Sequence, residues 1–118
     1  MPKSPIEYLR HILDETDFLI EQTTGLSADT FLGSTVLKRA FVRSLEVIGE
    51  ATKHLPSDLR RKYPDVDWRE MAGIRDRLIH GYVNIDHEIV WNVITNDIPA
   101  LRRQIQQIIE NESLQGED

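Results

Sequence analysis

Residues 35–55 read TVLKRAFVRSLEVIGEATKHL, and the spacing of their apolar side chains indicates the fold class. Large apolar residues recur in steps of three and four, which lines them up on one face of an α-helix. Charged residues follow the same steps on a second face, so one face is predicted to be buried and the other solvated. Ser34 or Thr35 can cap the start of this helix, and Pro56 ends it. The buried series is Leu37, Phe41, Leu45, Ile48, Thr52 and Leu55.

Gly49 lies inside this predicted helix, where glycine costs about 1 kcal/mol relative to alanine. A glycine at such a position makes sense if another stretch of backbone approaches too closely for a Cβ atom. We therefore predict that a second segment packs directly against the helix at Gly49.

The same helical period continues on both sides of this segment. Helices are predicted over residues 5–23, 67–81 and 86–110, with a short extra helix at residues 57–63. No segment has the strict alternation expected of a half-buried strand. Four substantial helices joined by short loops predict an all-α fold, an up-down four-helix bundle with a short extra helix.

Several of the predicted helix ends carry a recognisable signal. Ser4 can cap the first helix, and Asp67 can cap the helix at residues 67–81. Gly81 is suited to end that helix in the left-handed conformation. The last helix is predicted to begin at Asp86, and Pro99 should kink it because proline lacks the backbone N–H.

Length and composition indicate one domain. The chain has 118 residues and no cysteine, which excludes a disulfide framework and a thiolate zinc site. We expect a helical-bundle domain over residues 1–110 and a flexible acidic tail over residues 111–118. Because no signal peptide or apolar segment of membrane length is evident, the expected location is the cytoplasm, without membrane association.

The net charge of −6 argues against a general nucleic-acid coat, since non-specific binding to phosphates needs a positive field. The charge is unevenly distributed, however. Four of the acidic residues lie at the end of the chain, from residue 110 onward. Between Lys38 and Arg77 the sequence has ten basic and seven acidic residues, so the middle of the chain is locally positive.

Residues 75–82, RDRLIHGY, concentrate more chemically reactive groups than any other stretch. Arginine offers a planar set of donors suited to phosphate, and histidine exchanges a proton near neutral pH. The other histidines, His11, His54 and His87, have no metal-ligand partner at convincing spacing. No phosphate-binding glycine loop or nucleophile elbow is present. The stretch therefore predicts phosphate chemistry without a metal or cofactor.

The spacing within this stretch leaves alternatives open. On a regular helix, Arg75 and His80 would lie about 140° apart around the axis and would not share a face. Either the helix loosens near Gly81, or the arginine of one chain meets the histidine of a second chain across a two-fold axis; we favour the dimer. Asp76 lies four residues before His80 and could orient the imidazole. From composition and spacing alone, a salt-bridged helix end with no catalytic role is the more common interpretation.

Arg75, His80 and Tyr82 reproduce an R-x4-H-x-Y motif, and other parts of the chain fit the same pattern. The sequence resembles the HEPN superfamily, specifically HepT-like toxins encoded beside a minimal nucleotidyltransferase (MNT) in toxin-antitoxin pairs. The similarity extends over nearly the whole chain up to the tail. It includes Arg39-Ala40, residues 43–51, Trp68, residues 72–75, Ile85-Asp86, Trp91 and residues 97–99.

The resemblance implies an all-helical homodimer, or a higher assembly, that cleaves RNA without a metal at a site shared by two chains. Arg75 and His80 would be catalytic, with Asp76 in a supporting polar position. Tyr82 would be the residue that the nucleotidyltransferase antitoxin modifies with AMP to silence the toxin. tRNA is the substrate class that the resemblance suggests. Arg77 is outside the signature, so its role is open.

Two other functions stay open at this point. The chain could be a non-catalytic helical module that holds a nucleotide or scaffolds the nucleotidyltransferase, as its acidic net charge suggests. It could also be the antitoxin of the pair, with the neighbouring protein as the toxin.

Overall fold

Helices make up most of the computed structural model, which describes residues 4–80 and 84–116 and gives the backbone alone at Ile79, His80 and Gly116. Its helices are α1 (Pro5–Thr23), α2 (Ala28–Leu32), α3 (Thr35–Lys53), α4 (Ser57–Lys62), α5 (Trp68–Ala72), α6 (Ile74–Leu78), α7 (His87–Asn92) and α8 (Ile98–Gly116). A π-helical turn at Val93–Asp97 joins α7 to α8, and two short strands, β1 (Ile79–His80) and β2 (Asn84–Ile85), pair antiparallel.

The core forms where α1 packs against both α3 and α8. Its largest fully buried side chains come from α1, α2, α3, α6 and the region from the π-helical turn onward. They are Phe31, Phe41, Leu9, Ile12, Leu19, Leu45, Ile48, Ile74, Leu78, Ile94, Ile98 and Ile105. The predicted all-α class is confirmed apart from the two-residue strand pair. The up-down bundle arrangement and the homodimer stay predictions.

Helices α1 and α3 begin where the sequence predicts, whereas the helix predicted at residues 86–110 is divided into α7, the π-helical turn and α8. The Ser4 and Ser34 hydroxyls cap α1 and α3 by accepting hydrogen bonds from the N–H groups of Glu7 and Leu37. At the end of α1, Gly25 has a φ of +77°, a left-handed conformation that favours glycine. No helix in the described ranges is long and apolar enough to cross a membrane.

Gly49 packs against the corner between α5 and α6, as predicted. A Cβ atom at Gly49 would lie 3.3 Å from the Met71 carbonyl oxygen, 3.3 Å from Cγ2 of Ile74 and 3.6 Å from the Ala72 carbonyl oxygen. Two of these three neighbours are backbone atoms, which cannot rotate away as a side chain can. The absent side chain therefore sets how closely α3 approaches the segment that leads to Arg75.

The single helix predicted at residues 67–81 is interrupted at Gly73 and ends at Leu78. Asp67 caps α5 as predicted, but α5 ends at Ala72, and α6 runs from Ile74 to Leu78. The Leu78 carbonyl accepts a hydrogen bond from the Asp86 N–H at 3.0 Å. This long-range bond and the β1–β2 pair replace further helical turns. The predicted helix end at Gly81 lies outside the described residues.

The disturbance expected at Pro99 takes the form of the π-helical turn that precedes it. In this turn the Ile98 N–H donates to the Val93 carbonyl, five residues back, instead of the usual four. The wider turn falls just before Pro99, which cannot donate a backbone hydrogen bond.

The last helix continues beyond its predicted end at Glu110. Helix α8 reaches Gly116, and the Glu112 carboxylate accepts hydrogen bonds from the Tyr63 hydroxyl at 2.6 Å and from Lys62 Nζ at 2.9 Å. Glu112 is therefore held against the end of α4, beyond the predicted domain boundary at residue 110. The domain boundary and the flexibility of the acidic tail stay predictions. Residues 117 and 118 lie outside the described part of the chain.

Replacing Gly49 with valine is expected to lower the free energy of unfolding by about 1–3 kcal/mol, the usual range for overpacking. The added side chain would meet backbone atoms of α5, so the helices must separate. Urea unfolding followed by circular dichroism measures the change. Glu50→Val at the exposed neighbouring position is the control for placing valine in this helix. Equal stabilities for the two variants would contradict the close-packing argument.

Glu112 should make the stability of the protein sensitive to acid. Its pKa is lowered by the hydrogen bond from Tyr63 and by Lys62, against the opposing effect of burial. A carboxyl with a lowered folded-state pKa stabilises the fold above its ordinary pKa of 4.5, and that contribution is lost as the pH falls through the folded-state pKa.

Glu112→Gln is therefore expected to lose less stability than the unmodified protein between about pH 5 and about pH 3. Urea unfolding at a series of pH values measures this difference. Glu110→Gln, at an exposed position of the same helix, is the matched control. Parallel stability curves for Glu112→Gln and the unmodified protein would refute the assignment.

Candidate active site

Helix α6 presents Arg75, Asp76 and Arg77 on the protein surface. Ile74 and Leu78, four residues apart, are buried and attach α6 to the core. The three residues between them are exposed. The first part of the predicted site is therefore accessible, with its backbone held by an apolar residue on each side.

The three exposed residues differ in their partners. Arg77 forms a hydrogen-bonded ion pair with Glu70 of α5, which ties the two short helices together. For Arg75 and Asp76, no ion pair or side-chain hydrogen bond is found within residues 4–80 and 84–116. Arg77 is thus engaged by Glu70, and the Glu70 carboxylate is not free to pair with Arg75. Arg75 keeps its guanidinium available.

His80 lies on a strand rather than on a helix. Its Cα is paired with that of Asn84, and Ile79 is paired with Ile85. The 140° separation between Arg75 and His80 assumed a regular helix through both residues, so that geometric reason for a dimer no longer holds. The predicted contact between Asp76 and His80 across one helical turn loses its basis in the same way. The predicted loosening of the helix near Gly81 occurs earlier, after Leu78, and the shared site in a dimer stays a prediction.

The segment after the motif is fixed by Asp86. Its side chain caps α7 by accepting hydrogen bonds from the N–H groups of Glu88 at 3.1 Å and Ile89 at 3.2 Å, so this helix begins next to the predicted start at Asp86. Its own N–H bonds back to Leu78, the last residue of α6. This bond joins Leu78 and Asp86, the residues on either side of the strand pair, and holds the His80 backbone near the end of α6. Tyr82 lies outside the described residues.

A groove beside the strand pair was not predicted from the sequence. It has a volume of about 360 Å³ and lies between one face of α3 and the segment from Ile85 to His87. Burial, and then the positive charge of Lys38, lower the pKa of His87. The sequence signal was the local excess of basic residues, but only the fold brings Lys38 and Arg39 opposite His87. The lining residues are Thr35, Lys38, Arg39, Val42, Glu46, Ile85 and His87.

The described residues contain no group of three or more histidine, aspartate or glutamate side chains arranged to hold a metal ion. Arg75 on α6 and Arg39 in the groove are exposed basic side chains. These groups are suited to hydrogen bonding and to interaction with a negatively charged ligand.

Residues 12–108 match the HepT-like ribonuclease family. The chain belongs to this family. Among its relatives, a protein provisionally named an RNase in Caldanaerobacter subterraneus subsp. tengcongensis is 49% identical over 110 residues, covering 93% of this chain and 98% of the relative. A provisionally named RNase of Methanocaldococcus jannaschii is 42% identical over 119 residues, covering 100% and 97%.

A third relative, "Probable ribonuclease HepT" of Thermococcus cleftensis, is 36% identical over 108 residues, covering 92% of this chain and 98% of the relative. No solved structure matches the chain at a significant level. The family resemblance inferred from the sequence is thus confirmed. Membership in the HepT-like family supports ribonuclease activity and implies RNA as the substrate. The roles of Arg75, Asp76, His80 and Tyr82 stay predictions.

Proposed function

We propose that this HepT-like protein is a metal-independent endoribonuclease toxin that cleaves RNA, with tRNA as the substrate class. The site is composite, formed in a homodimer by Arg75 and His80 with support from Asp76. A nucleotidyltransferase antitoxin silences it by transferring AMP to Tyr82. The observation that carries the proposal is the R-x4-H-x-Y motif in a chain that belongs to the HepT-like ribonuclease family.

The placement of α6 supports a catalytic role for Arg75. Its side chain is exposed and, within the described residues, has no carboxylate partner that would compete with a phosphate. The guanidinium can donate two hydrogen bonds to a phosphate and stabilise the charge that develops in the transition state.

RNA supplies its own nucleophile, which makes a metal-generated hydroxide unnecessary. The 2′-oxygen forms a bond to phosphorus while the bond from phosphorus to the 5′-oxygen breaks. The products are a 2′,3′-cyclic phosphate and a 5′-hydroxyl. His80 takes the proton from the 2′-hydroxyl or delivers one to the departing 5′-oxygen, and Arg75 stabilises the phosphorane-like transition state.

The proposed regulation follows from the charge of AMP. Adenylylation of Tyr82 replaces the phenolic proton with a bulky group that carries a negative charge. Two residues from His80, this group would repel RNA phosphates and fill the approach to the site. Inhibition by this route needs no conformational change.

The acidic net charge favours a second candidate, a non-catalytic module that holds a nucleotide or scaffolds the nucleotidyltransferase. The antitoxin role is a third. Expressing this chain alone, and its genetic neighbour alone, distinguishes the toxin role from the antitoxin role. Growth arrest by this chain supports the toxin, whereas harmless expression of it with a toxic neighbour supports the antitoxin.

We expect the purified protein to cleave tRNA in the presence of EDTA. His80→Ala and Arg75→Ala should each lower the cleavage rate by at least about 100-fold, the usual effect of removing a general acid–base or a transition-state donor. Gel analysis of labelled tRNA measures the rates. Arg77→Ala is the matched control, because Arg77 is paired with Glu70 and should retain activity. Equal cleavage by the unmodified protein and His80→Ala would exclude the assignment.

The same two variants test whether the site is composite. If Arg75 of one chain acts with His80 of the other, a mixed dimer of Arg75→Ala and His80→Ala chains has one intact site. Co-expressing the two variants should then restore part of the cleavage activity. No recovery in a mixed dimer verified by differential tagging would show that both residues act within one chain.

Co-expression with the neighbouring nucleotidyltransferase is expected to increase the intact mass of this chain by one or more AMP units. Tyr82→Phe should abolish the increase, because phenylalanine has no hydroxyl to accept the AMP. Intact mass spectrometry provides the measurement. Tyr8→Phe is the control for a tyrosine elsewhere on the chain. Full modification of Tyr82→Phe would place the acceptor at another residue.

A further inference from the structure

The groove beside the strand pair carries opposite charges at its two ends. Thr35, Lys38 and Arg39 lie at one end of the α3 face that lines it, and Glu46 lies at the other. Seven residues separate Arg39 from Glu46, roughly 10 Å along a helix. The groove therefore has a positive end and a negative end, with Val42 between them.

Lys38 and Arg39 are adjacent basic residues of the groove, and no carboxylate of the described residues holds them. Five other basic residues are ion-paired, namely Lys53, Arg61, Lys62, Arg77 and Arg102. No such pair involves Lys38 or Arg39 anywhere in the described chain. Two adjacent cations that lack partners inside the protein can bind an external anion without first breaking an ion pair.

The groove adjoins the strand pair that carries part of the predicted catalytic segment. Ile85 forms part of the groove wall, and its Cα is paired with that of Ile79, the neighbour of His80. Strand β2 therefore contributes Ile85 to the groove wall and is paired with β1, the strand that carries His80. The groove therefore offers a route along which an RNA strand bound at His80 can continue.

We propose that Lys38 and Arg39 bind a phosphate of the substrate RNA next to the cleavage site. This inference rests on the proposed ribonuclease function and deepens it. Lys38 supplies a point charge, Arg39 can donate two hydrogen bonds to one phosphate, and the nearby Thr35 hydroxyl is a further donor. These residues position the substrate and do not take part in bond cleavage.

His87 supports this division of roles. Its lowered pKa means that the imidazole is neutral at neutral pH. The opposite wall then offers the RNA a half-buried uncharged ring instead of a third cation. The positive charge is concentrated on the α3 side, which gives the phosphate one defined side of the groove.

Neutralising both cations tests the proposal. Lys38→Gln/Arg39→Gln should raise the KM for tRNA about tenfold and change kcat less than about twofold, because binding weakens while the catalytic groups are unchanged. In the His80→Ala background, which cannot cleave, the Kd for labelled tRNA should rise by the same factor. The slope of log Kd against log salt concentration should fall by about 0.7–0.9, the value expected for one lost phosphate contact.

Two further variants complete the design. Arg10→Gln/Arg103→Gln removes the same charge from exposed positions that do not line the groove, and it should leave KM and Kd within about twofold. Lys38→Arg/Arg39→Lys keeps both charges and should retain most of the affinity. Thermal unfolding of all variants checks that each is folded.

The outcomes separate this inference from the proposed function. If the unmodified protein cleaves tRNA and the groove variant matches the Arg10/Arg103 control in KM, Kd and salt slope, the groove inference is overturned and the ribonuclease stands. If nothing cleaves but tRNA binding still depends on Lys38 and Arg39, the groove inference holds and the catalytic proposal fails. If the unmodified protein does not bind tRNA, or if only kcat falls, the groove inference is also overturned.

Discussion

The close contact between Gly49 and the corner of α5 and α6 is the constraint on which the position of the motif depends. With no side chain at this position, α3 can pack against the Met71 and Ala72 carbonyl oxygens. Ile74 is buried at the same contact, and it directly precedes Arg75. The distance between the two helices therefore sets where the guanidinium emerges. Any residue larger than glycine would move the motif outward together with α6.

The strand pair, together with the contact at Gly49, fixes the position of the motif. Helix α6 has only five residues, so it has few internal hydrogen bonds and relies on tertiary packing for stability. Its last carbonyl is bonded to the Asp86 N–H, and Asp86 in turn caps α7. Because of this connection, the chain leaves helical geometry after Leu78, and Asp86 fixes the place where the next helix, α7, begins. A short helix followed by a strand can present Arg75 and the His80 backbone without the angular restriction of a continuous helix.

The sequence was sufficient for the fold class, the starts of α1 and α3, the cap at Asp67, and the close contact at Gly49. Each depends on local spacing or on the cost of one residue. The end of α6 at Leu78 could not be read in this way, because the chain there bonds to Asp86, eight residues later. The continuation of α8 depends on Tyr63 and Lys62, about 50 residues before Glu112. The motif identified the candidate residues, but the groove could not be predicted, because it forms between α3 and residues 85–87, which are far apart in the sequence.

The charge distribution reconciles an acidic protein with a negatively charged substrate. Asp65, Asp67, Glu70 and Asp97 line a separate groove between α5 and the π-helical turn, away from Lys38 and Arg39. At physiological ionic strength, charges are screened over about 8 Å, so the local field matters more to a bound phosphate than the net charge of the chain. Glu70, the acidic residue tied to α6, is already paired with Arg77. That pair lowers the negative field near Arg75. Arg77, which is outside the family signature, therefore pairs with Glu70 and has no direct role toward the phosphate.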